Sequence, residues 1–598
     1  MNTLKDKINQ IISEYRVENH IQIKAEVENL IKKHSKNVKL FEVLAIVFAQ
    51  NGRIEDAILI FTQILNQEPK SIDTLINISL AYSEKNKIDK ALEYLEKAKK
   101  VNIKQTEVYF NIGLIYEKKQ IWNKAISNYE KAIKYNSKNI NALINLGNLF
   151  LQNQDYKKAK DNYENAVKVK PNDPDLYHNL GVVFTKLNKI DKSIKCYSKS
   201  IKLKTKNALT FYNLGILYVK NYEYDLEKIN EAKSLFIKAI KINNTKDVIY
   251  YNLAWIQTKI GNYESAINNY EKAIKINPNY RQAIYNLSRL FLTLENFTEG
   301  WPLYDKIRKN KFSENASYQK KLKDILKLPK WNKKKFSGKL FLYGEQGIGD
   351  QIVFSSMIPD LSKKHKNIHL MVEDRLVTLF SRSFPMIKVT NYNHKIKSSH
   401  NDCHFPLFSL GSVLRKSINN FNPKSFIIPD PKKINYYKKI LSKNKKIKVG
   451  ISWKTASDFS ENKNISLIKL TKILSLNNFE FINLQYGNTV KEREIIKSKY
   501  GIKINNINNL DLKNDIEGLA ALINCCDLVI TITNATAQLA GSIGVPTWIM
   551  LYIFPHWEWF TKRNNSLWYP NVKLFRQKKY GNWDSVIESV YTELKKKY

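Results

Sequence analysis

Four features of this sequence hold residue types that could do chemistry. GEQGIGDQ (344–351) follows an apolar run and carries Gly344, Gly347 and Gly349 just ahead of Asp350. Glycines there allow a tight turn and close approach of the backbone to a ligand. Asp350, at a helix start, reads either as an N-terminal cap or as a base exposed at a cleft. TNATAQ (533–538) follows a second apolar run. Asn534, Ala535, Thr536 and Ala537 would open a helix with free backbone N–H groups, an anion site suited to a diphosphate. GISWKT (450–455) puts Ser452 and Lys454 at the carboxyl end of a strand, where the lysine could neutralise a phosphate. The fourth feature is an asparagine that recurs at Asn77, Asn111, Asn145, Asn179, Asn213, Asn252 and Asn286. A carboxamide offers a donor and an acceptor, matching both faces of a peptide bond.

The asparagines belong to a repeat. Each lies two residues before a small residue, and the small residues fall at Ala45, Ser79, Gly113, Gly147, Gly181, Gly215, Ala254 and Ser288. The spacing is 34 residues, except for one step of 39 across Gly215 and Ala254. Twelve positions on comes a second small residue (Ala57, Ala91, Ala125, Ala159, Ser193, Ala266), and four further an aromatic one (Phe61, Tyr129, Tyr163, Tyr197, Tyr270). Two amphipathic helices per 34 residues resemble the tetratricopeptide repeat. The expectation is an α solenoid, a superhelix of eight pairs over 37–313, with capping helices in 1–36 centred on 20–35. Pro69, Pro171 and Pro278 mark where second helices end. The five extra residues near 222–228 are expected to lengthen one turn. The resemblance puts the asparagines on the concave face, where they would grip a protein or peptide; the alternative is that Asn is simply common there.

After about Ser313 the period stops. A basic linker (314–335) precedes β-rich runs alternating with helices. Strands are expected at 339–343, 367–372, 387–392 and 402–407, then at 446–453, 479–486, 502–507, 527–533 and 546–552. Two such sets predict two α/β units with parallel sheets, 336–431 and 432–598, hinged near Pro429–Pro431. A ligand cleft belongs between them.

Composition narrows the function classes. The 598 residues are 43% hydrophobic and 12% aromatic, ample for packed cores. The four cysteines lack metal-type spacing and point to a reducing, cytoplasmic setting rather than a disulfide framework. The net charge of +43 comes from lysines spread along the whole chain. It favours acidic partners and would suit peripheral association with an anionic membrane surface. Aromatic–basic nucleic-acid motifs are missing, so no nucleic acid is expected. No metal-ligand cluster stands out, and no cofactor is expected.

GEQGIGDQIVF, VGISWKT, LVITITNATAQLAGSIGVPTWIM and LWYPNVKLFRQKKYGNW together resemble bacterial tetratricopeptide proteins with a C-terminal domain like glycosyltransferase family 9, similar to the heptosyltransferases. The resemblance implies a GT-B fold of two Rossmann-like domains and a metal-independent glycosyltransferase using a nucleotide-sugar as substrate. Asp350 would be its general base. Gly347, Gly349, Ser452, Lys454, Asn534, Ala535, Thr536 and Gln538 would bind the donor. Trp568, Tyr569, Arg576 and Gln577 match the C-terminal motif, the two aromatics otherwise reading as packing for the last helices. Many members carry an Asp-Thr pair and a His where this chain has Thr533, Asn534 and Gln538. That departure motivates the alternative, a non-catalytic scaffold with a degenerate transferase-like domain.

Overall fold

A computed structural model describes residues 6, 29–30, 33, 38–222, 225–311, 322–344, 347–442, 445–455, 463–553, 555–579 and 581–598. Most of the expected capping helix, and residues 314–321 of the linker, lie outside these. The chain forms two compact units, Met1–Leu217 and Tyr218–Tyr598.

The first unit is a run of helix pairs. They are α1 (Val38–Gln50) with α2 (Ile54–Gln67), α3 (Ile72–Glu84) with α4 (Ile88–Val101), and α5 (Thr106–Lys118) with α6 (Trp122–Tyr135). Then come α7 (Ile140–Gln152) with α8 (Tyr156–Val169), α9 (Pro174–Lys186) with α10 (Ile190–Lys202), and α11 (Ala208–Asn221), within which the unit boundary falls. The expected small and aromatic residues pack as a set. A Cβ on Gly113, Gly147 or Gly181 would lie only 2.6–2.7 Å from the ring of Tyr129, Tyr163 or Tyr197. Glycine there admits the ring from the second helix, and all three rings are fully buried. The turns inside the pairs repeat one left-handed residue, at Gly52, Asn86, Gln120, Gln154 and Asn188.

The second unit opens with α12 (Leu226–Ile242), then α13 (Asp247–Lys259), α14 (Tyr263–Ile276), α15 (Arg281–Thr293) and α16 (Phe297–Lys311). The 39-residue step does not simply lengthen a turn. Helix α11 has 14 residues against 13 in α9, and α12 has 17 against 14 in α8, leaving one extra residue for the turn. Ala232 and Phe236 then take the small and aromatic places, both fully buried.

Two parallel sheets follow. The first contains β1 (Leu340–Tyr343), α17 (Ile348–Ser355), α18 (Ile358–Lys364), β2 (Ile368–Val372), α19 (Asp374–Ser383), β3 (Lys388–Asn391) and β4 (Cys403–Pro406), in the order β3-β2-β1-β4. The second contains α20 (Pro431–Leu441), β5 (Ile447–Ser452), β6 (Phe479–Asn483), α21 (Val490–Tyr500), α22 (Ile516–Ile523), β7 (Leu528–Ile532), α23 (Ala535–Ile543), β8 (Thr547–Leu551), β9 (Val572–Arg576) and α24 (Asp584–Lys597), in the order β6-β5-β7-β8-β9. Central strands β2, β7 and β8 are buried along their whole length, as helix-covered parallel strands must be. Two expectations need correction. Residues 502–507 form no strand, only a single bridge from Asn505 to Ile482, and the motif segment 572–576 is an edge strand.

The last repeat and both sheets share one core. Trp301 of α16 is 2% exposed; its ring crosses Trp557 nearly perpendicularly at 5.3 Å, and its Nε1 donates to the Arg415 carbonyl at 2.8 Å. A Cβ on Gly411 would sit 2.2 Å from that ring. Arg563 grips Glu295, after α15, with two nitrogens at 2.6 and 3.1 Å. The compact division therefore falls within the repeats rather than at 314–335. The described part of that linker also packs, with Leu322 and Ile325 buried against Phe341, Tyr343 and Met371.

Candidate functional site

Each sheet ends a strand in a turn that starts a helix, and the two helix starts meet. A Cβ on Gly349, in the first turn of α17, would lie 3.5 Å from both the Ala535 Cα and the Gln538 Cγ of α23. A buried side chain packs against Gly344. Gln351 accepts from the Glu373 N–H at 3.1 Å, and a Cβ on Gly344 would overlap it at 2.5 Å. Gly347, extended and exposed, is the N-cap of α17. Asp350 is thus not a cap: it is the third helical residue, half-buried in the first turn, where the helix dipole favours a carboxylate.

Across the contact, Asn534 caps α23. Its Oδ1 accepts from the Ala537 N–H at 3.1 Å, and its Nδ2 donates to Ser452 Oγ at 2.7 Å and to the Lys454 carbonyl at 3.2 Å. Gln485 Oε1 gathers Ser452 Oγ and the N–H groups of Trp453 and Lys454 at 2.7–3.0 Å. Asn534 and Ser452 are therefore buried framework that fixes the helix start on the β5 edge. Thr536 is fully buried, and its hydroxyl has no hydrogen-bond partner among the described residues. The Lys454 ammonium pairs with Glu492 of α21, whose other oxygen accepts from Trp453 Nε1 at 2.8 Å. The spacing of VGISWKT gave no sign of that carboxylate.

Gln538 belongs to a buried chain of hydrogen bonds. The Tyr569 hydroxyl donates to its Oε1, and its Nε2 donates to Glu558 Oε1 at 3.1 Å. Glu558, 5% exposed, pairs through Oε2 with His556 Nδ1. Tyr569 packs flat against Gly541 of α23, where a Cβ would come within 2.7 Å of its ring, and Trp568 packs on Phe421 and Trp557. The two aromatics are core, as one reading had it, but on α23 and its neighbours. Burial raises the Tyr569 phenol well above its ordinary range, with the Asp350 charge adding to it, so it remains a donor. Arg576 gives Nε and one Nη to the Arg563 carbonyl; burial lowers its pKa to about 10, with Tyr263 of α14 opposing. Gln577 is buried, its backbone N–H donating to the Leu551 carbonyl at 2.9 Å.

Two cations come in unannounced. Lys463 lies over the Tyr552 ring at 5.8 Å; burial and nearby Arg289 push its ammonium down, while Asp350 opposes them. Tyr552 itself is pushed up to about 12 by burial. Arg289 sits on α15, one residue after the small residue of the last repeat. The seven earlier repeats have Ile46, Leu80, Leu114, Asn148, Val182, Ile216 and Trp255 there, so a lone arginine was a signal available in the sequence. Among the described residues, no cluster of three or more His, Cys, Asp or Glu could hold a metal.

The asparagines are half-buried or buried, and most of their amides are engaged. In the first unit Asn145 and Asn213 donate to the hydroxyls of Tyr129 and Tyr197, each at 3.3 Å, and Asn111 donates to the Glu107 carbonyl at 2.7 Å. In the second, Asn286 donates to Tyr251 at 3.2 Å and Asn252 to the Val248 carbonyl at 2.8 Å. Asn77 and Asn179 are half-buried. At five of the seven positions the amide nitrogen thus has a partner within the repeats, a tyrosine hydroxyl at Asn145, Asn213 and Asn286 and a carbonyl of its own helix at Asn111 and Asn252.

The tetratricopeptide repeat family matches residues 72–102, 106–139 and 248–280, and the TPR repeat family matches 147–188 and 183–222. Protein FlbA of Caulobacter vibrioides is 28% identical over 375 residues, covering 58% of this chain and 61% of that protein. The chain thus spans about three-fifths of the length of this curated relative. Among solved structures, YrrB, a TPR protein with an unusual peptide-binding site, is 23% identical, covering 32% of this chain and 96% of its own, with a TM-score of 0.29. The Cut9–Hcn1 hetero-tetramer of the APC/C is 19% identical, covering 48% and 55%, with a TM-score of 0.33. No helix among the described residues is long and apolar enough to cross a membrane. The chain carries tetratricopeptide repeats followed by two parallel α/β sheets.

Proposed function

We propose that the two sheets form a GT-B-type glycosyltransferase that moves a sugar from a nucleotide-sugar to an acceptor hydroxyl chosen by the repeats. The observation that carries this reading is the contact of Gly349 with Ala535 and Gln538, which brings two helix starts from two sheets together. Helix N-termini stabilise a departing diphosphate without a metal, through free N–H groups and the aligned dipole. The N–H groups at Ala535 and Thr536 take the phosphates, and Gly347 and Gly349 let the opposite backbone come close. Asp350, in the first turn of α17, accepts the proton of the acceptor hydroxyl. The repeats present a protein, or a glycan on a carrier, in their groove. A nucleotide-sugar substrate fits a cytoplasmic setting, and the +43 charge suits acidic partners and an anionic membrane surface.

Release of nucleoside diphosphate from a panel of sugar nucleotides, with the purified full chain and cell extract as acceptor source, tests this. Asp350→Asn is expected to lower turnover by about 10²-fold or more. No release with any donor, together with an unchanged cellular phenotype of Asp350→Asn, would sink the reading.

A further inference from the structure

The cation expected from sequence to meet the phosphates, Lys454, is tied to Glu492. A different group lies by the start of α23. Glu558 is a carboxylate with 5% exposure, and both its oxygens accept: Oε1 from Gln538 Nε2 at 3.1 Å, and Oε2 at His556 Nδ1. The amide is locked in that orientation because the Tyr569 hydroxyl donates into its oxygen. A carboxylate that receives donors at both oxygens is favoured in its ionised form. A buried carboxylate without a cation is costly, and His556 is the one cation-forming partner it has among the described residues. Glu558 is therefore placed to act as counter-ion to that ring when it is protonated, and it orients the ring through Nδ1. The ring is only part-buried, and it is joined through Glu558 to Gln538, the fourth residue of α23 and the side chain that abuts Gly349.

We propose that His556, positioned by Glu558 and Gln538, supplies the cation and the proton that a diphosphate leaving group takes up at the start of α23. The inference rests on the transferase reading above. In the transfer, the acceptor oxygen bonds to the anomeric carbon as its proton passes to Asp350. The bond from that carbon to the diphosphate oxygen breaks, its electron pair stays on the oxygen, and Nε2–H of His556 donates to it. Solvent then reprotonates the ring and takes the proton from Asp350. Gln538 is a positioning residue: with a side chain that cannot ionise, it turns the neighbouring carboxylate and imidazole into the charged pair.

The test is calorimetric titration of the full chain with inorganic pyrophosphate and with UDP, GDP, ADP and CDP, in parallel with diphosphate release from the matching sugar nucleotides. His556→Asn keeps an N–H near the Nδ1 position, so Glu558 stays paired while the second ring nitrogen is lost. It is expected to weaken pyrophosphate binding tenfold or more, about 1.4 kcal/mol, while Lys439→Gln on the exposed face of α20 changes nothing. Nitrogen-15 NMR of labelled histidine at pH 7.5, assigned by the His556→Asn variant, is expected to find both ring nitrogens protonated in the native chain and a neutral ring in Glu558→Gln. Pyrophosphate binding within twofold of native in His556→Asn, no pyrophosphate binding at all, or a neutral native ring would each overturn the inference. Pyrophosphate binding that depends on His556, without turnover of any sugar nucleotide, would remove the transferase reading and leave the anion site. Turnover that ignores His556→Asn would do the reverse.

Discussion

Replacing Gln538 with Leu removes at one stroke the acceptor of the Tyr569 hydroxyl and the donor to Glu558. Both partners are buried, and each group left unpaired costs about 1–3 kcal/mol. Denaturant unfolding should therefore find Gln538→Leu several kcal/mol less stable, whereas Tyr569→Phe, which leaves only the amide oxygen short of a donor, should lose less. Equal stability of the two variants would refute the chain of bonds. A similar argument applies to the recurrent asparagine. Asn145→Ala deletes a bond to the Tyr129 hydroxyl, which still donates to Glu117 at 2.5 Å. A cost of about 0.5–1.5 kcal/mol is expected, and a stabilised variant would deny the bracing role. The sequence revealed the type and place of these residues but not their partners. Glu492, Glu558 and Tyr251 lie 38, 20 and 35 positions from the residues they engage, at no fixed period.

At the scale of elements, the repeats were legible because their packing is periodic: a ring that needs a glycine opposite recurs every 34 residues. The parallel strands were legible as apolar runs buried on both faces. The edge strand β9 was not, because Val572–Arg576 has neither a continuous apolar run nor a strict alternation: Lys573 and Arg576 flank the adjacent Leu574 and Phe575. The meeting of α17 with α23 was also hidden, since Gly349 lies 186 positions before Ala535 and 189 before Gln538, and only the fold joins them. Trp301 likewise gave no sign of its destination. It is the peg by which α16 enters the common core, touching Gly411 and Trp557. Trp301→Ala should cost about 3–5 kcal/mol, as large-to-small changes of buried aromatics do. Gly411→Ala should cost about 1–3 kcal/mol by overpacking against the same ring. If Gly411→Ala is instead neutral, the close approach of that helix to the sheets is wrong.

Over the whole molecule, the buried histidines and tyrosines set the pH range of stability. His369 on β2 is held at about 4, first by burial and then by Lys388, His394 and Lys339. His404 on β4 is also held at about 4, by burial and then by Lys330. Both lie below the ordinary histidine value of about 6.5. Between these values the unfolded chain binds protons that the folded chain refuses, so stability falls as the pH is lowered. The contribution is full above about 6.5 and is lost as pH drops through 4, at up to roughly 1.4 kcal/mol per pH unit for each group. A chain already at +43 gains further self-repulsion from each proton taken up. On the alkaline side the sign reverses. Tyr552 is raised to about 12 and Tyr569 beyond its ordinary range, both by burial, so the folded chain retains protons that the unfolded chain gives up above about 10. Stability should thus peak between about pH 6.5 and 10 and decline on both sides. Thermal melts across pH 4.5–11 check this, and His369→Phe, whose ring cannot take a proton, should shallow the acid slope even though it leaves Thr390 without the ring nitrogen 2.8 Å away. An acid slope unchanged by His369→Phe would mean that this ring titrates alike in the folded and unfolded chains, and burial on β2 would then not be what holds it neutral.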